Sequence, residues 1–239
     1  QVGSSAASDV YKRQVRCCTQ NGIRGGSATV HFPIWHQEIE DILVLKNNKG
    51  TEDNRVRKLD YSIQLSELFY KRFISSGNIT LFSPHDTPGL YDAFGTDKFD
   101  DLYTRYESDE SIPKTVVPAQ DLILAMLKER AETGRIYLMN IDHCNTHSSF
   151  KDKVNMSNLC QEITLPTDPI QSLQGQGEIA LCILSAINVG KITKTSELEN
   201  LCDLAVRGLE ELIDYQEYPV KAAEDSTIAL RSLGIGYIG

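Results

Sequence analysis

The sequence predicts an α/β fold, on three observations. Short β-branched or apolar runs alternate along the chain with longer amphipathic ones, the order that builds sheets layered with helices. No repeat at a fixed period interrupts that alternation. At 239 residues and 41% hydrophobic content, the chain can also bury a substantial core.

Taken in order, the first strand is read at Ala28–Phe32, followed by a helix at His36–Leu45. A strand at Tyr61–Leu65 leads to a helix at Ser66–Ser75, and a strand at Ile79–Phe82 to a helix at Lys98–Glu107. The helix at Pro118–Thr133 has proline at its start and Gly134 just past its end, the usual asymmetry of helix termini. Ile136–Ile141 reads as the next strand, and Asn158–Leu165 as a short one stopped by Pro166. Thr167–Gly177, with Asp-Pro, Ser, Gln and Gly, reads as an exposed loop before a nearly continuous apolar strand at Glu178–Ala186. The helix at Ser196–Tyr215 has the clearest pattern: Leu198, Leu201, Leu204, Ala205, Leu209 and Leu212 form one apolar face, and Ser196 can cap it. A last helix is read at Val220–Leu230.

Composition narrows the class of protein. A net charge of −9 argues against a general binder of nucleic-acid backbone, which concentrates Lys and Arg, while leaving room for a local anion site. No segment approaches the roughly 18 apolar residues of a membrane span, and no apolar signal core stands near the N-terminus, so the chain reads as soluble and cytoplasmic. Six scattered cysteines, two of them adjacent at Cys17 and Cys18, read as thiols and not as a disulfide framework. Residues 1–14 have no periodicity, and Asp9–Gln14 resembles the translation of a sequencing-library adapter. We treat them as a non-native or disordered leader and expect 15–239 to be one incomplete domain, since the chain stops inside the apolar run Leu233–Gly239.

Four constellations could carry chemistry. Asn158, Cys160 and Glu162 stand at i, i+2 and i+4, so on a strand an amide, a thiol and a carboxylate would share one face. On spacing alone this is either a pocket wall or an ordinary strand. In Thr19-Gln20-Asn21-Gly22-Ile23-Arg24-Gly25-Gly26, glycines bracket an arginine that could reach a phosphate or stack on a base; a plain turn is the alternative. No Gly-Lys-Ser/Thr follows, so this is not a nucleotide-triphosphatase loop. Asp142-His143-Cys144-Asn145-Thr146-His147 offers three metal-ligand types but no fourth ligand nearby, and a hydrogen-bonded loop is preferred. Cys182, in the apolar run, is by default a buried structural cysteine, and a redox role would need a second thiol within reach.

These pieces together resemble the large (alpha, catalytic) subunit of class I ribonucleotide reductases, over essentially Val15–Gly239. The resemblance is carried by Thr19–Gly26, Trp35-His36, Leu43–Asn48, Asn54–Arg57, Ile79–Pro84, Pro88–Phe94 and Thr133–Tyr137. It continues through Asp142–His147, Ser157–Glu162, Gly177–Cys182 and Asp214–Pro219. The run around Leu43–Arg57 looks more like class I than like the cobalamin-dependent or anaerobic reductases that share the barrel.

The resemblance implies part of a ten-stranded α/β barrel of the ribonucleotide reductase type, with a central finger loop carrying a radical cysteine. It implies an allosteric, nucleotide-binding oxidoreductase that makes deoxyribonucleotides for DNA replication. In it Cys160 is the thiyl radical that takes the 3′ hydrogen of a ribonucleoside diphosphate, an exchange made reversible by the similar strengths of S–H and activated ribose C–H bonds. Glu162 matches the base on the 3′ hydroxyl, and Asn158 the amide that holds substrate and base in register. Cys182 matches one member of the redox pair, its partner lying outside this sequence. Thr19, Gln20, Asn21, Gly22, Arg24 and Gly25 match the loop linking effector to substrate base, with Gln20 and Arg24 as contacts, and Asn21 departs from a glycine found in relatives. No cofactor or metal is implied on this chain itself. The radical would come from a metal-containing small (beta) subunit, reducing equivalents from thioredoxin or glutaredoxin, and control from ATP and dNTP effectors in a homodimer of large subunits. On this reading the chain alone is inactive. The competing reading is a non-catalytic nucleotide-binding regulatory or assembly protein on the same barrel, against which the joint presence of Asn158, Cys160 and Glu162 speaks.

Overall fold

A computed structural model describes residues 14–15, 17–19, 21–50, 55–57, 59–172 and 176–239. The leader up to residue 13, Gln20, Asn54 and the middle of the Thr167–Gly177 segment lie outside the described residues. The chain divides into two units, Gln1–Thr164 and Leu165–Gly239.

In chain order the first unit runs β1 (Thr29–Pro33), α1 (Ile39–Leu43), β2 (Asp60–Leu65), α2 (Glu67–Ile74), β3 (Asn78–Phe82) and α3 (Leu90–Ala93). It continues with α4 (Phe99–Ser108), β4 (Lys114–Pro118), α5 (Ala119–Thr133), β5 (Ile136–Asn140) and α6 (Ile141–Thr146). Strands β1, β2 and β5 form a parallel sheet in that order, with His31 opposite Ser62 and Ser62 opposite Tyr137. Side chains alternate across a strand, so this register sorts the residues into two faces. Val30, Phe32, Tyr61, Ile63, Leu65, Ile136 and Leu138 belong to one hydrophobic cluster with Ile39, Ile42, Phe69, Leu122 and Met126 of the covering helices. The opposite face presents Thr29, His31, Ser62 and Gln64, and it is this polar face that receives the candidate site. Ser62 and Gln64 are both buried, so each needs a partner.

A second cluster lies beyond β3 and β4, which pair antiparallel from Asn78↔Pro118 to Phe82↔Lys114. It is aromatic, with Phe82 edge-on to Tyr103 at 5.4 Å and Phe94 tilted on Phe99 at 4.7 Å. Tyr103 also donates to the Thr80 carbonyl at 2.6 Å, and the Arg72 guanidinium forms a two-pronged ion pair with Glu107. Ser66 caps α2 through the Phe69 N–H, and Gly134, at φ 65°, ends α5 in the left-handed conformation that glycine adopts freely.

The second unit contains β6 (Asp168–Ser172) paired antiparallel with β7 (Gln176–Glu178), and β8 (Ile183–Asn188) paired parallel with β9 (Leu233–Ile238). The β8 to β9 crossover carries α7 (Ser196–Tyr215) and α8 (Lys221–Leu230). Arg231 ties the end of α8 to α7 by pairing with Glu210 and Asp214.

The α/β class and most elements agree with the sequence reading, and the differences have local causes. The helix expected at His36–Leu45 is only Ile39–Leu43, because His36 is drawn into a parallel bridge with Phe82. Asp142–Thr146 is helical in α6, with His147 as its C-cap, and not a loop; the Asp142 carboxylate accepts the Glu67 N–H at 2.6 Å. Across the segment expected as a loop at Thr167–Gly177, β6 and β7 pair antiparallel. Thr195 and not Ser196 is the N-cap of α7, and it makes no side-chain cap. The apolar strand begins at Ile183 instead of Glu178, and its burial alternates, so it is not enclosed on both faces.

Candidate active site

Asn158–Leu165 does not form the expected strand; it is an irregular segment with a tight turn at its start. The reason lies in side-chain to backbone bonds that compete with extended pairing. Asn158 Oδ1 accepts the N–H of Glu162 at 3.1 Å and of Ile163 at 3.0 Å, and the Asn158 carbonyl accepts the Gln161 N–H at 3.2 Å. Ser157 Oγ donates to the Ile163 carbonyl at 2.6 Å and closes the turn. Gln161 sits at φ 61°, in the left-handed region that an extended strand never visits.

Three strands moor this turn. Thr29 Oγ1, from β1, donates to the Leu159 carbonyl at 2.6 Å. Ser62 Oγ, from β2, donates to Gln161 Oε1, while Gln161 Nε2 donates to the Leu138 carbonyl of β5 at 2.6 Å. Farther back, Gln64 Nε2 donates to the Asn155 carbonyl at 2.6 Å. Asn145 clamps Val154 twice, its Nδ2 donating to the carbonyl at 3.0 Å and its Oδ1 accepting the N–H at 2.8 Å. Thr29, Ser62 and Gln64 on the polar face of the sheet are therefore satisfied by the loop lying on it, Thr29 and Gln64 by its backbone and Ser62 by the Gln161 side chain.

The outcome is a thiol and a carboxylate presented together. Cys160 and Glu162 are both exposed, whereas Gln161 between them reaches back to the sheet and Asn158 turns into its own loop. The sequence placed Asn158, Cys160 and Glu162 on one strand face; the fold instead gives them three duties within one turn. Sequence reasoning passed over Thr29, Ser62, Gln161 and Asn145. The available signal was Ser62 and Gln64 alternating through an otherwise apolar strand, which marks a buried polar face awaiting partners.

His31 lies on that same face, opposite Ser62. Both ring nitrogens are buried without a hydrogen bond of full geometry. Burial pushes its pKa below the ordinary histidine value, and the Ser157 backbone only partly offsets this.

Thr19, Asn21, Gly22, Arg24 and Gly25 occupy an exposed turn leading into β1, and Gln20 lies outside the described residues. Asn21 and Gly22 have φ of 50° and 70°, and asparagine tolerates that region better than other side chains, which accounts for its standing where a glycine is expected. Gly26 is the sterically demanding glycine: a Cβ there would lie 2.4 Å from both the Val15 and Cys18 carbonyl oxygens, while at Gly25 it would meet open space.

Cys182 belongs to the second unit, half-buried just ahead of β8. A Cβ added at Gly234 of β9 would lie 3.2 Å from its sulfur, so the glycine gives the thiol room. Among the described residues no group of three or more His, Cys, Asp or Glu side chains gathers as metal ligands would. His143 of α6 and His147, its C-cap, stack with centroids 5.8 Å apart. No helix among the described residues is long and apolar enough to cross a membrane.

The family model of the ribonucleotide reductase barrel domain matches residues 2–239. A ribonucleoside-diphosphate reductase subunit alpha from Haemophilus influenzae is 56% identical over 234 residues, 95% of this chain and 31% of the relative. The ribonucleoside-diphosphate reductase 1 subunit alpha of Escherichia coli is 53% identical over the same shares, and the subunit alpha of phage T4 is 42% identical. The chain thus spans about a third of the length of these curated relatives.

Proposed function

This chain belongs to the ribonucleotide reductase family, matching its barrel domain, and from that premise we propose that the whole protein reduces ribonucleoside diphosphates to 2′-deoxyribonucleoside diphosphates, the precursors of DNA. The observation that carries the reading is one turn presenting an exposed thiol, Cys160, two residues from an exposed carboxylate, Glu162, with Asn158 bonded to the Glu162 backbone. Binding alone requires no such pairing.

In this reading Cys160, as a thiyl radical, takes the 3′ hydrogen of the ribose, and Glu162 accepts the 3′ hydroxyl proton while the 2′ hydroxyl leaves as water. Cys182 and a partner cysteine outside this sequence supply two electrons and two protons, one to the departing 2′ hydroxyl and one to C2′, and close to a disulfide; Glu162 then returns its proton to the 3′ oxygen and Cys160 its hydrogen to C3′. Thioredoxin or glutaredoxin reopens the disulfide. A small (beta) subunit with a metal centre supplies the radical. ATP and deoxynucleotide effectors act on a dimer of large subunits, through the loop from Thr19 to Gly26, whose Gln20 and Arg24 would contact loop and base.

The deciding experiment is Cys160→Ser in the full-length subunit assayed with its radical-generating partner. Turnover should disappear while diphosphate binding persists. Normal turnover in that variant would end the assignment.

A further inference from the structure

We infer that Thr29, Ser62 and Gln161 are positioning residues for Cys160, forming a tripod of hydrogen bonds that fixes the two peptide neighbours of the thiol to three different strands. The inference rests on the reading of Cys160 as the hydrogen-abstracting residue and adds how that sulfur is kept in place. An exposed side chain has little packing of its own to locate it, so the backbone on either side must do so. Leu159 is held by Thr29 of β1, and Gln161 by Ser62 of β2 and by the Leu138 carbonyl of β5.

The chemistry of each bond leaves a single arrangement. The Leu138 carbonyl can only accept, so it must face the Gln161 NH₂ group. That turns the amide oxygen toward Ser62, whose hydroxyl must then donate. Ser62 is fully buried, so it has no water to substitute for Gln161. Gln161 also holds a left-handed φ of 61°, a conformation that persists in a non-glycine residue when its surroundings over-determine it. Clamped at both ends of its amide, the residue converts that backbone twist into the turn that lifts Cys160 and Glu162 away from the sheet. Hydrogen transfer demands reacting atoms near contact distance, so a loop free to drift would lose rate before it lost affinity.

The test uses the full-length subunit with its radical-generating partner. Thr29→Val and Gln161→Met keep the shape of each side chain and remove its bonds, and Ser62→Ala removes the donor. Each should lower kcat by roughly tenfold to a hundredfold, with KM for the diphosphate little changed. Ser62→Ala and Gln161→Met should be non-additive, because they break one shared bond. Gln161→Glu supplies a signature that a merely structural role does not move. Its carboxylate repels the Leu138 carbonyl, but its protonated form donates to it, so turnover relative to the natural protein should rise as pH falls. Thr29→Val, at the half-buried start of β1, decides the matter alone if the Gln161 variants do not fold. Unchanged kcat in these variants, or a flat Gln161→Glu ratio across pH, overturns the tripod. Cys160→Ser keeps the two ideas apart: turnover there sinks the reading of the thiol, whereas an inactive Cys160→Ser beside fully active Thr29→Val and Gln161→Met sinks only the tripod.

Discussion

Asn158 Oδ1 lies 3.1 Å from the backbone nitrogen of Glu162, so the amide side chain controls where the carboxylate begins without touching it. The same oxygen takes the Ile163 N–H, and losing both acceptances resembles losing a helix N-cap, worth about 1 kcal/mol. Asn158→Ala should therefore loosen the turn and lower kcat, and Asn158→Asp, which keeps the accepting oxygen, should retain much more. Steady-state kinetics on both variants check this; equal losses would mean that the amide nitrogen, and not the cap, matters.

Replacing Glu162 by Gln isolates chemistry from structure. The substitution preserves length and leaves the backbone N–H that Asn158 holds. On the proposed reading it removes only the base, and kcat should fall by roughly 10² to 10⁴. Radical formation and diphosphate binding should survive. Spectroscopic detection of the radical alongside turnover provides the measurement, and loss of the radical as well would assign Glu162 a different part.

Two adjacent glycines make a steric prediction about the 19–26 loop. At Gly26 a Cβ would be driven to 2.4 Å from two backbone oxygens, which cannot rotate away, and the overpacking should destabilise by roughly 1–3 kcal/mol. At Gly25 the added methyl meets nothing within 4 Å. Thermal unfolding should show a clear loss for Gly26→Ala and a small one for Gly25→Ala. If the loop relays effector to substrate, Gly26→Ala should also blunt effector-dependent choice among diphosphates, read as the ratio of their turnover rates with and without effector.

How far the sequence disclosed this fold depended on whether its signals were local. The helix at Ser196–Tyr215 emerges with the bounds its apolar period predicted, and Gly134 ends its helix as its chemistry suggests, although the cap expected at Ser196 is not made. Lys114–Pro118 was not read as a strand, since a β-branched run of that length against a proline is equally a helix entrance, and its partner β3 lies about thirty residues back. The turn at Asn158 misleads for the same reason. Its alternation of polar and apolar residues is that of a strand, while what shapes it is the competing bonds of Asn158 and Ser157 to their own backbone together with bonds to Thr29, Ser62 and Leu138, distant in sequence. The candidate residues were legible as a motif, and the residues that hold them were not.

His31 turns the same polar face into a pH prediction. Its ring is buried with neither nitrogen fully hydrogen-bonded, and its pKa is pushed below the usual 6.5. In the unfolded chain the ring takes up a proton as pH drops through that value, whereas the folded protein resists until a lower pH. Between the two values the unfolded state binds more protons, so stability is greatest above about pH 6.5 and declines as pH falls toward the folded value, then levels off. His36, also lowered by burial with Glu38 partly offsetting it, contributes in the same direction. His31→Phe keeps an aromatic ring in place and removes two buried nitrogens that lack hydrogen bonds of full geometry, so it should raise stability by about 1 kcal/mol at neutral pH. The gain should widen on acidification, since the substitution removes the His31 part of the slope and leaves that of His36. Unfolding midpoints of the natural protein and His31→Phe, compared from about pH 8 down to about pH 5, give the difference directly. A gap that does not change with pH would mean that His31 finds a partner for its proton in the folded state.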